Sequence, residues 1–308
     1  MGNTTSIESI DSIKSIESSN TVKNPINVNN NILEFTVKDI SNFKQTLNLI
    51  NDIDYSIFNI LNKTLDKFVC MEFYGDHTDV TEIGDKKALT ILLANPMRPA
   101  MIKLDMYIDK FVSFWCEKPV LNVSLSIPKL MRILNFVGED NPITFYIQKG
   151  NENVLYVKKT INTTTHVITK MHIYNIFTDH LNNFNYSLEP YETKIIMKPN
   201  IFQELINYFN GTIDPININI DKKTITLSSN GIFNVELVVD YSNNENIISD
   251  NFSPINGNYN YSTLKVFNQC DKLCENVEIY CKQQLPLVIV VPIINIGRLH
   301  VFLKYDDN

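Results

Sequence analysis

The sequence predicts an α+β protein made of two similar halves, each with two short helices and many strands. Four short segments have the apolar spacing of amphipathic helices, and nearly all of the remaining chain consists of strand-like runs. The apolar positions of the first and third helical segments also align without gaps. This alignment indicates an internal duplication and therefore two related folding units.

The four helical segments each carry one apolar stripe, with residues three or four positions apart. They are expected at 41–52, 126–137, 199–210 and 262–271, and Pro128 is tolerated in the first turn of the second segment. The first and third segments correspond at Phe43 and Phe202, at Leu47 and Ile206, and at Ile50 and Phe209. Strands are expected, for example, at 144–147, 216–220, 224–227 and 233–239.

The duplication sets the domain boundaries. An N-terminal domain is expected at 32–173 and a C-terminal domain at 191–308, joined by a connecting loop at 174–190 that lacks a clear period. Residues 1–31 are rich in Ser, Asn and Thr and contain no aromatic residue, so their composition predicts a disordered tail. The opening residues match the N-myristoylation pattern at Gly2, but a chance match is the favoured interpretation of so short a pattern.

Composition indicates an ordinary globular protein. Hydrophobic residues make up 44% of the 308 residues, and five cysteines without a regular framework argue against a disulfide-stapled secreted fold. The polar N-terminus lacks a signal core, and Pro286 and Pro292 interrupt the longest apolar run, which predicts a buried strand. A soluble, intracellular protein is therefore expected. The net charge of -7 leaves nucleic-acid binding open, because charges of opposite sign can lie on different surfaces.

Two clusters could suggest chemistry. Asp76, His77 and Asp79 could form a metal or acid–base group, but no second group at ligand spacing accompanies them, so a solvated loop is favoured. Cys270, Cys274 and Cys281 could bind zinc, but they lack the paired Cys-x-x-Cys spacing, so buried free thiols are favoured. No glycine-rich phosphate loop is present. We expect no enzymatic activity, no metal and no cofactor.

The C-terminal segment Leu285-Pro-Leu-Val-Ile-Val-Val, followed by Gly297-Arg-Leu-His-Val-Phe-Leu, resembles the last strands of the proliferating cell nuclear antigen (PCNA) family of DNA sliding clamps. Residues 123–143, with Val137-Gly-Glu-Asp-Asn after the helix, and residues 191–227, with Met197-Lys-Pro-Asn-Ile-Phe and a later Ser228-Ser-Asn-Gly turn, match as well. The resemblance covers residues 33–305 with gaps. Residues 62–87 cannot be aligned and look like an insertion, and residues 89–106 align only loosely.

The resemblance implies a fold in which two short helices of each domain pack on curved antiparallel sheets, and in which protomers close into a ring. It implies a homotrimeric clamp that encircles duplex DNA without sequence preference and serves as a DNA polymerase processivity factor in DNA replication and DNA repair. The implied partners are a polymerase, a clamp loader and proteins with short clamp-binding motifs, in the nucleus or another replication compartment. A subunit of a heterotrimeric checkpoint-type clamp, or a viral processivity factor that forms no ring, remains an alternative.

The expected DNA-binding residues are cations on the helix faces opposite the apolar stripes: Lys44, Lys129, Arg132, Lys265 and Lys272. By similarity, Lys44 and Arg132 fall at positions where the family has DNA-facing cations. At other such positions this chain departs from the family, as at Glu204 in the third helix, which predicts a weaker positive field. The alternative is an ordinary solvated helix face.

Two further surfaces follow from the resemblance. A pocket for partner motifs is expected to involve Met101, Leu181, Phe184, Leu188, Pro286 and Phe302. The alternative for Pro286 and Phe302 is plain core packing. The trimer interface is expected to pair a strand at 165–173 with a strand at 230–238 of the neighbour, through Thr165, Val167, Thr169 and Met171 on the first and Ile232, Asn234, Glu236 and Val238 on the second. The alternative is that both strands are covered edges of a monomer.

Overall fold

A computed structural model describes residues 30–58, 68–75, 86–93, 100–137, 142–174, 187–211, 215–230, 234–240, 247–248 and 254–304. The first half contains β1 Asn31–Val37, α1 Ile40–Phe58, β2 Phe68–Tyr74, β3 Lys87–Leu93, β4 Ala100–Tyr107, β5 Phe111–Cys116, β6 Val120–Ser126, α2 Ile127–Val137, β7 Ile143–Gln148, β8 Val154–Thr160 and β9 His166–His172. The second half contains β10 Thr193–Met197, α3 Pro199–Asn207, β11 Ile216–Ile220, β12 Thr224–Asn230, β13 Asn234–Asp240, β14 Ile247–Ile248, β15 Ile255–Tyr259, α4 Tyr261–Val266, β16 Val277–Cys281, β17 Leu287–Ile293 and β18 Gly297–Leu303. Short 3-10 helices lie at Ile108–Lys110 and, directly after α4, at Phe267–Lys272.

The strands form three antiparallel sheets. The N-terminal sheet has the order β5-β1-β7-β8-β9, and the C-terminal sheet has the order β13-β12-β11-β15. The central sheet has the order β14-β10-β16-β17-β18-β4-β3-β2-β6 and so contains strands of both halves. The halves meet where β18 pairs with β4, from Gly297 opposite Met106 to Leu303 opposite Ala100. The expected α+β fold is therefore confirmed.

The four helices form one row on the sheets. α1 packs against both α2 and α4, while α4 and its 3-10 extension pack against α3, so the order along the row is α2-α1-α4-α3. The duplicated apolar positions all lie in the core: Phe43, Leu47, Ile50, Phe202, Ile206 and Phe209. A side-chain cap stabilises the start of α4, where the Asn260 side chain accepts a hydrogen bond from the Thr263 backbone N–H at 2.9 Å.

The helix boundaries differ from the expected ones at the C-terminal ends. α1 continues to Phe58, and α3 ends at Asn207, after which the chain forms turns up to Gly211. α4 is only six residues long before it tightens into the 3-10 helix. Helix ends are the least certain part of a prediction from periodicity, since the last turn often tightens.

An aromatic cluster joins the N-terminal sheet to the central sheet. The rings of Phe35 and Phe145 stack with centroids 4.8 Å apart, and Phe35 lies 5.2 Å from the ring of Phe73 on β2. Phe111 packs edge-on against Phe35 at 5.8 Å. Burying a side chain of this size contributes about 2 kcal/mol to folding, so the cluster fixes how the two sheets meet.

Two segments that aligned poorly or not at all contain strands of the central sheet, and one expected turn was wrong. β2 lies between β3 and β6 in the central sheet, so Phe68–Tyr74, within the stretch 62–87 that could not be aligned, is an integral strand of that sheet. Of the stretch 62–87, residues 62–67 and 76–85 lie beyond the described ranges. The loosely aligned segment 89–106 belongs to two strands, β3 and β4, and β12 continues through the expected turn as far as Asn230.

The longest apolar run forms the buried strand β17, as predicted, and Val288, Ile289, Val290 and Val291 are fully buried. Within the described ranges, no helix has the length and apolar character needed to cross a membrane. The N-terminal 29 residues, including Gly2, lie outside the described residues, and β1 begins at Asn31.

Candidate functional site

The structure places all five predicted cations on the helix row. Arg132, Lys265 and Lys272 are exposed, Lys129 is exposed at the start of α2, and Lys44 is half-buried. All five lie on helical positions away from the buried apolar stripes, so the row presents its polar side to solvent.

Lys129 and Lys265 make contacts within the protomer. Lys129 Nζ donates a hydrogen bond to the Tyr174 hydroxyl at 2.7 Å and lies 5.2 Å from the centroid of that ring. Lys265 Nζ donates to Asn210 Oδ1 at 3.0 Å. Because these contacts are exposed, an anion of higher charge density can compete for both ammonium groups.

The helix row also carries carboxylates. Asp52 accepts a hydrogen bond from Gln269 Nε2 at 3.1 Å, which joins α1 to the 3-10 helix. Glu204 and Asp271 are exposed on α3 and on the 3-10 helix. These acids reduce the positive field of the row.

A separate apolar cluster lies on the other face of the central sheet. Met101, Val288, Val290 and Phe302 are buried together, and Met101 pairs across the strands with Phe302. Along β17 and β18 the alternate side chains belong to the main core, so these four point away from it. This surface is the partner-pocket candidate.

The flanks of this pocket come from the end of the connecting loop, from Tyr191 directly after it and from β16. The half-buried side chains of Leu188, Tyr191 and Tyr280 pack against the cluster. The Tyr191 hydroxyl donates a hydrogen bond to the backbone oxygen of Pro286 at 2.9 Å, which ties that segment to the start of β17. Burial raises the pKa of Tyr191 to about 12, so its hydroxyl keeps the proton that it donates.

Of the predicted pocket residues, the structure brings together Met101, Leu188 and Phe302, with Pro286 adjoining through Tyr191. Leu181 and Phe184 lie outside the described residues. Val288 and Val290 were missed, although the two-residue alternation of a strand already places both on one face.

A buried carboxylate lies next to the pocket on β4. Asp105 accepts a hydrogen bond from Thr90 Oγ1 at 2.7 Å, and Lys103 Nζ lies 3.0 Å and Lys87 Nζ 3.8 Å from its oxygens. Burial opposes ionisation of Asp105, but the two ammonium groups and the hydrogen bond outweigh it and hold the pKa of this carboxyl below its usual value. Asp105 is therefore a buried, fully charged anchor of the sheet.

His300 lies across the strands from Lys103 and stacks on Phe302, with ring centroids 6.5 Å apart and planes 13° from parallel. Burial lowers the pKa of His300 to about 4, although nearby Asp105 acts in the opposite direction. Its Nδ1 atom is buried without a hydrogen-bond partner. The imidazole is thus neutral at physiological pH and links the charged part of the sheet to the apolar pocket.

The two strands predicted to meet at a subunit interface each lie at a sheet edge. β9 is an edge of the N-terminal sheet, and β13 is an edge of the C-terminal sheet. On β9, Val167 and Thr169 are half-buried and Met171 is buried, while Thr165 is exposed just before the strand. The three strand residues of this set face the protein interior.

On β13, Glu236 and Val238 are exposed, Asn234 is the first strand residue, and Ile232 lies outside the described ranges. The predicted residues within β9 therefore face the protein interior, whereas Glu236 and Val238 on β13 face solvent. The outward residues of β9, Ile168 and Lys170, were missed, because the resemblance placed the strand but not its facing.

The cysteines are free and buried. Cys274 Sγ donates to the backbone oxygen of Cys270 at 3.4 Å, and burial raises the pKa of the Cys274 thiol to about 11. These environments disfavour thiolates, which metals need as ligands. Among the described residues, no three His, Cys, Asp or Glu side chains are grouped as a metal site would require, and residues 76–79 lie outside that set.

The chain is similar in sequence to proteins of a giant virus. No protein-family model matches the chain. A probable DNA polymerase sliding clamp of Acanthamoeba polyphaga mimivirus is 26% identical over 229 residues, which cover 68% of this chain and 45% of the relative. The chain thus spans less than half the length of that relative. The uncharacterized mimivirus protein L823 is 24% identical over 292 residues, covering 88% of this chain and 77% of L823.

A solved structure shares the fold. The proliferating cellular nuclear antigen of Entamoeba histolytica superposes with a TM-score of 0.68 at 13% identity, covering 90% of this chain and 99% of the other. Its likeness at this identity concerns the fold, and the mimivirus relative adds similarity in sequence. The chain therefore has the PCNA fold and is a divergent, PCNA-like relative of a viral sliding clamp.

Proposed function

We propose that the protein is a DNA polymerase processivity factor: a homotrimeric sliding clamp that encircles duplex DNA and tethers replication and repair proteins to it. The observation that carries this proposal is the single helix row, which presents Lys44, Arg132 and Lys272 on the side away from the sheets. The relative described as a sliding clamp supports it.

The chemistry of the helix row suits sliding. Lysine and arginine side chains on helices attract phosphates regardless of base sequence, and they can exchange one phosphate for the next. Carboxylates at Asp52, Glu204 and Asp271 keep the attraction moderate. A ring with this lining stays on DNA mainly because it encircles the duplex, and its affinity for the phosphates contributes less.

Processivity of this kind needs no catalytic group on the clamp. The protein acts as a scaffold, and a separate ATP-driven clamp loader opens the ring. Partners dock through short motifs with apolar and aromatic anchors, which enter the pocket at Met101, Leu188 and Phe302. The clamp acts at sites of DNA replication.

The decisive experiment compares primer extension on long templates, with and without the clamp and loader, for a neutralised helix row. The variant Lys44→Gln/Arg132→Gln is expected to shorten the products and to lower the slope of log affinity against log salt, by about 0.9 for each phosphate that the variant no longer neutralises. The matched control is Lys222→Gln/Lys223→Gln, which removes the same charge from the exposed turn between β11 and β12. Equal processivity of both variants would refute a DNA-facing helix row.

The pocket is tested separately with Leu188→Glu, which puts a charge at its half-buried flank. We expect this variant to form trimers and bind DNA normally, but to lose stimulation of a polymerase from the same source. Full stimulation would exclude the pocket as the docking site.

A heterotrimeric clamp is the second candidate. It is favoured by the finding that one virus, mimivirus, encodes several proteins similar to this chain, among them L823 and L108; L108 is 21% identical over 192 residues. Light scattering of the purified protein separates the two: a mass of three 35.5-kDa chains supports the homotrimer, and a stable monomer supports a mixed or open form.

A further inference from the structure

We propose that the N-terminal sheet carries a second docking surface, which binds an extended peptide segment of a partner protein through two opposite charges. A basic residue of that segment contacts Glu34 on β1, and an acidic residue contacts Lys158 on β8. This inference rests on the proposed function, because it gives the clamp a second class of partner motif.

The surface is a groove on the face of the sheet that points away from the core. It has a volume of about 490 Å³, within the range of about 300–1,000 Å³ that is usual for ligand pockets. Polar side chains form most of its lining, among them Glu34, Thr144, Tyr146, Gln148 and Lys158. Glu34 lies opposite Tyr146, and Thr144 lies opposite Lys158, so this charged groove crosses β1, β7 and β8.

The two charges of the charged groove are available to a ligand. Among the described residues, neither Glu34 nor Lys158 forms an ion pair. Two strand spacings of about 4.8 Å and two residues of about 3.4 Å separate them, so their Cα atoms lie about 12 Å apart and they do not neutralise each other. Asn31 Nδ2 donates a hydrogen bond to Glu34 Oε2 at 2.6 Å and so orients the carboxylate. A ligand with one basic and one acidic group therefore finds an opposite charge for each.

Tyr146 forms the floor between the two charges. Its ring stacks on Tyr156, with centroids 4.9 Å apart and planes 10° from parallel. Burial, and then the neighbouring Tyr156 and Glu34, raise the pKa of Tyr146, so its hydroxyl keeps its proton and can donate to a peptide carbonyl oxygen. A single-stranded nucleic acid fits less well, because Tyr156 already covers one face of this ring and Glu34 repels phosphates.

The internal duplication makes the charged groove the counterpart of the partner pocket. The strand order β1-β7-β8-β9 of the N-terminal sheet is repeated as β10-β16-β17-β18 in the central sheet. The registers correspond as well, because Glu34 lies opposite Tyr146 on the first pair of strands, as Lys194 lies opposite Tyr280 on the second. The same outward face that forms the partner pocket in one sheet therefore forms the charged groove in the other.

The two counterparts differ in chemistry. The positions that Val290 and Phe302 occupy in the partner pocket are occupied by Lys158 and Lys170 on β8 and β9. The partner pocket buries apolar side chains, whereas its counterpart presents charges. The motif that fits the charged groove consequently carries charged residues where a motif for the partner pocket carries apolar anchors.

Selection from a random peptide library displayed on phage tests the proposal. The library is selected on the full-length protein carrying Leu188→Glu, which blocks the partner pocket. We expect the selected peptides to carry a basic and an acidic residue four positions apart, because these lie on one face of an extended chain and about 13 Å apart. The variant Glu34→Lys/Lys158→Glu should weaken their binding at least tenfold. The matched control is Asp109→Lys/Lys110→Asp, which exchanges the charges of an ion pair on the first 3-10 helix and should bind them normally.

A milder variant guards against a folding defect. Glu34→Gln keeps the size of the side chain and an oxygen for Asn31, and it should still lower the affinity for a fluorescein-labelled selected peptide about tenfold in fluorescence anisotropy. If no selected peptide depends on Glu34 and Lys158, or if a labelled oligothymidylate binds through Lys158 in place of peptides, the proposal is overturned. The proposed function is judged by a separate selection on the wild-type protein: a lack of peptides that depend on Leu188 would refute the partner pocket, whatever the result for the charged groove.

Discussion

His300 should make the stability of this protein depend steeply on pH. Its imidazole is buried on β18, and burial lowers its pKa from 6.5 to about 4. An unfolded chain restores a pKa near 6.5, so below that pH the unfolded state takes up a proton that the folded state refuses. The stabilisation is therefore fully present above about pH 6.5 and is lost as the pH falls towards 4.

The size of the effect follows from the two pKa values. At pH 5 the unfolded imidazole is almost fully protonated and the folded one almost fully neutral, which lowers the free energy of unfolding by about 2 kcal/mol relative to pH 7.5. His300→Gln removes the titrating group while keeping a polar side chain of similar size. The variant should lack this 2 kcal/mol loss, whatever its stability at neutral pH.

Urea denaturation at pH 7.5 and pH 5, followed by tryptophan fluorescence, measures the difference for both proteins. Comparing the two pH values within each protein cancels the direct effect of the substitution on packing. His166 and His172 lie on the exposed face of β9 in both proteins, so their contribution also cancels. Equal losses of stability in the wild type and in His300→Gln would refute the assignment of the effect to this imidazole.

Three further predictions concern the sheet, the pocket and the subunit interface. Gly297→Ala should destabilise the protein by about 3 kcal/mol in the same denaturation assay, because a Cβ atom at this positive φ would collide with the backbone oxygen of Asp105 on the paired strand; unchanged stability would contradict this. Tyr191→Phe should cost about 1 kcal/mol by losing the hydrogen bond to Pro286, as a melting-temperature shift would report, and no shift would show that this bond is dispensable. Phe136→Ser should weaken trimers about tenfold in analytical ultracentrifugation while leaving unfolding of the protomer unchanged, and a loss of protomer stability instead would assign this side chain to the core.

The parts of the fold that could be predicted are those with a strong local period. The helices begin within a residue of their expected positions, because each carries a clear apolar stripe such as Leu130, Leu134 and Val137 on α2. The sequence did not identify β2 as a strand, because residues 62–87 could not be aligned and because Phe68–Tyr74 has apolar residues on both faces, with no alternation to mark it. Such a pattern is typical of a strand in the middle of a sheet that is covered on both faces, and the sequence alone does not show which elements cover it.

Some residues of the candidate site could likewise be predicted from the sequence, and others could not. The helix cations could be predicted, because the position of a polar face follows from the helical period. The network around Asp105 could not be, since Thr90, Lys103 and Lys87 come together only through the pairing of β3 with β4. Likewise, Ile168 and Lys170 could not be chosen over their neighbours, because the facing of an edge strand depends on which side the core lies.

The pairing of β18 with β4 has a consequence for biogenesis. The strand Gly297–Leu303 is synthesised after all the other strands of the central sheet, to which the first half contributes four. During translation, the backbone groups along one edge of β4 therefore have no β18 to pair with until β18 has left the ribosome. The nascent N-terminal half is a candidate for chaperone protection, and a chain that stops short of Gly297 should aggregate instead of leaving half a working molecule.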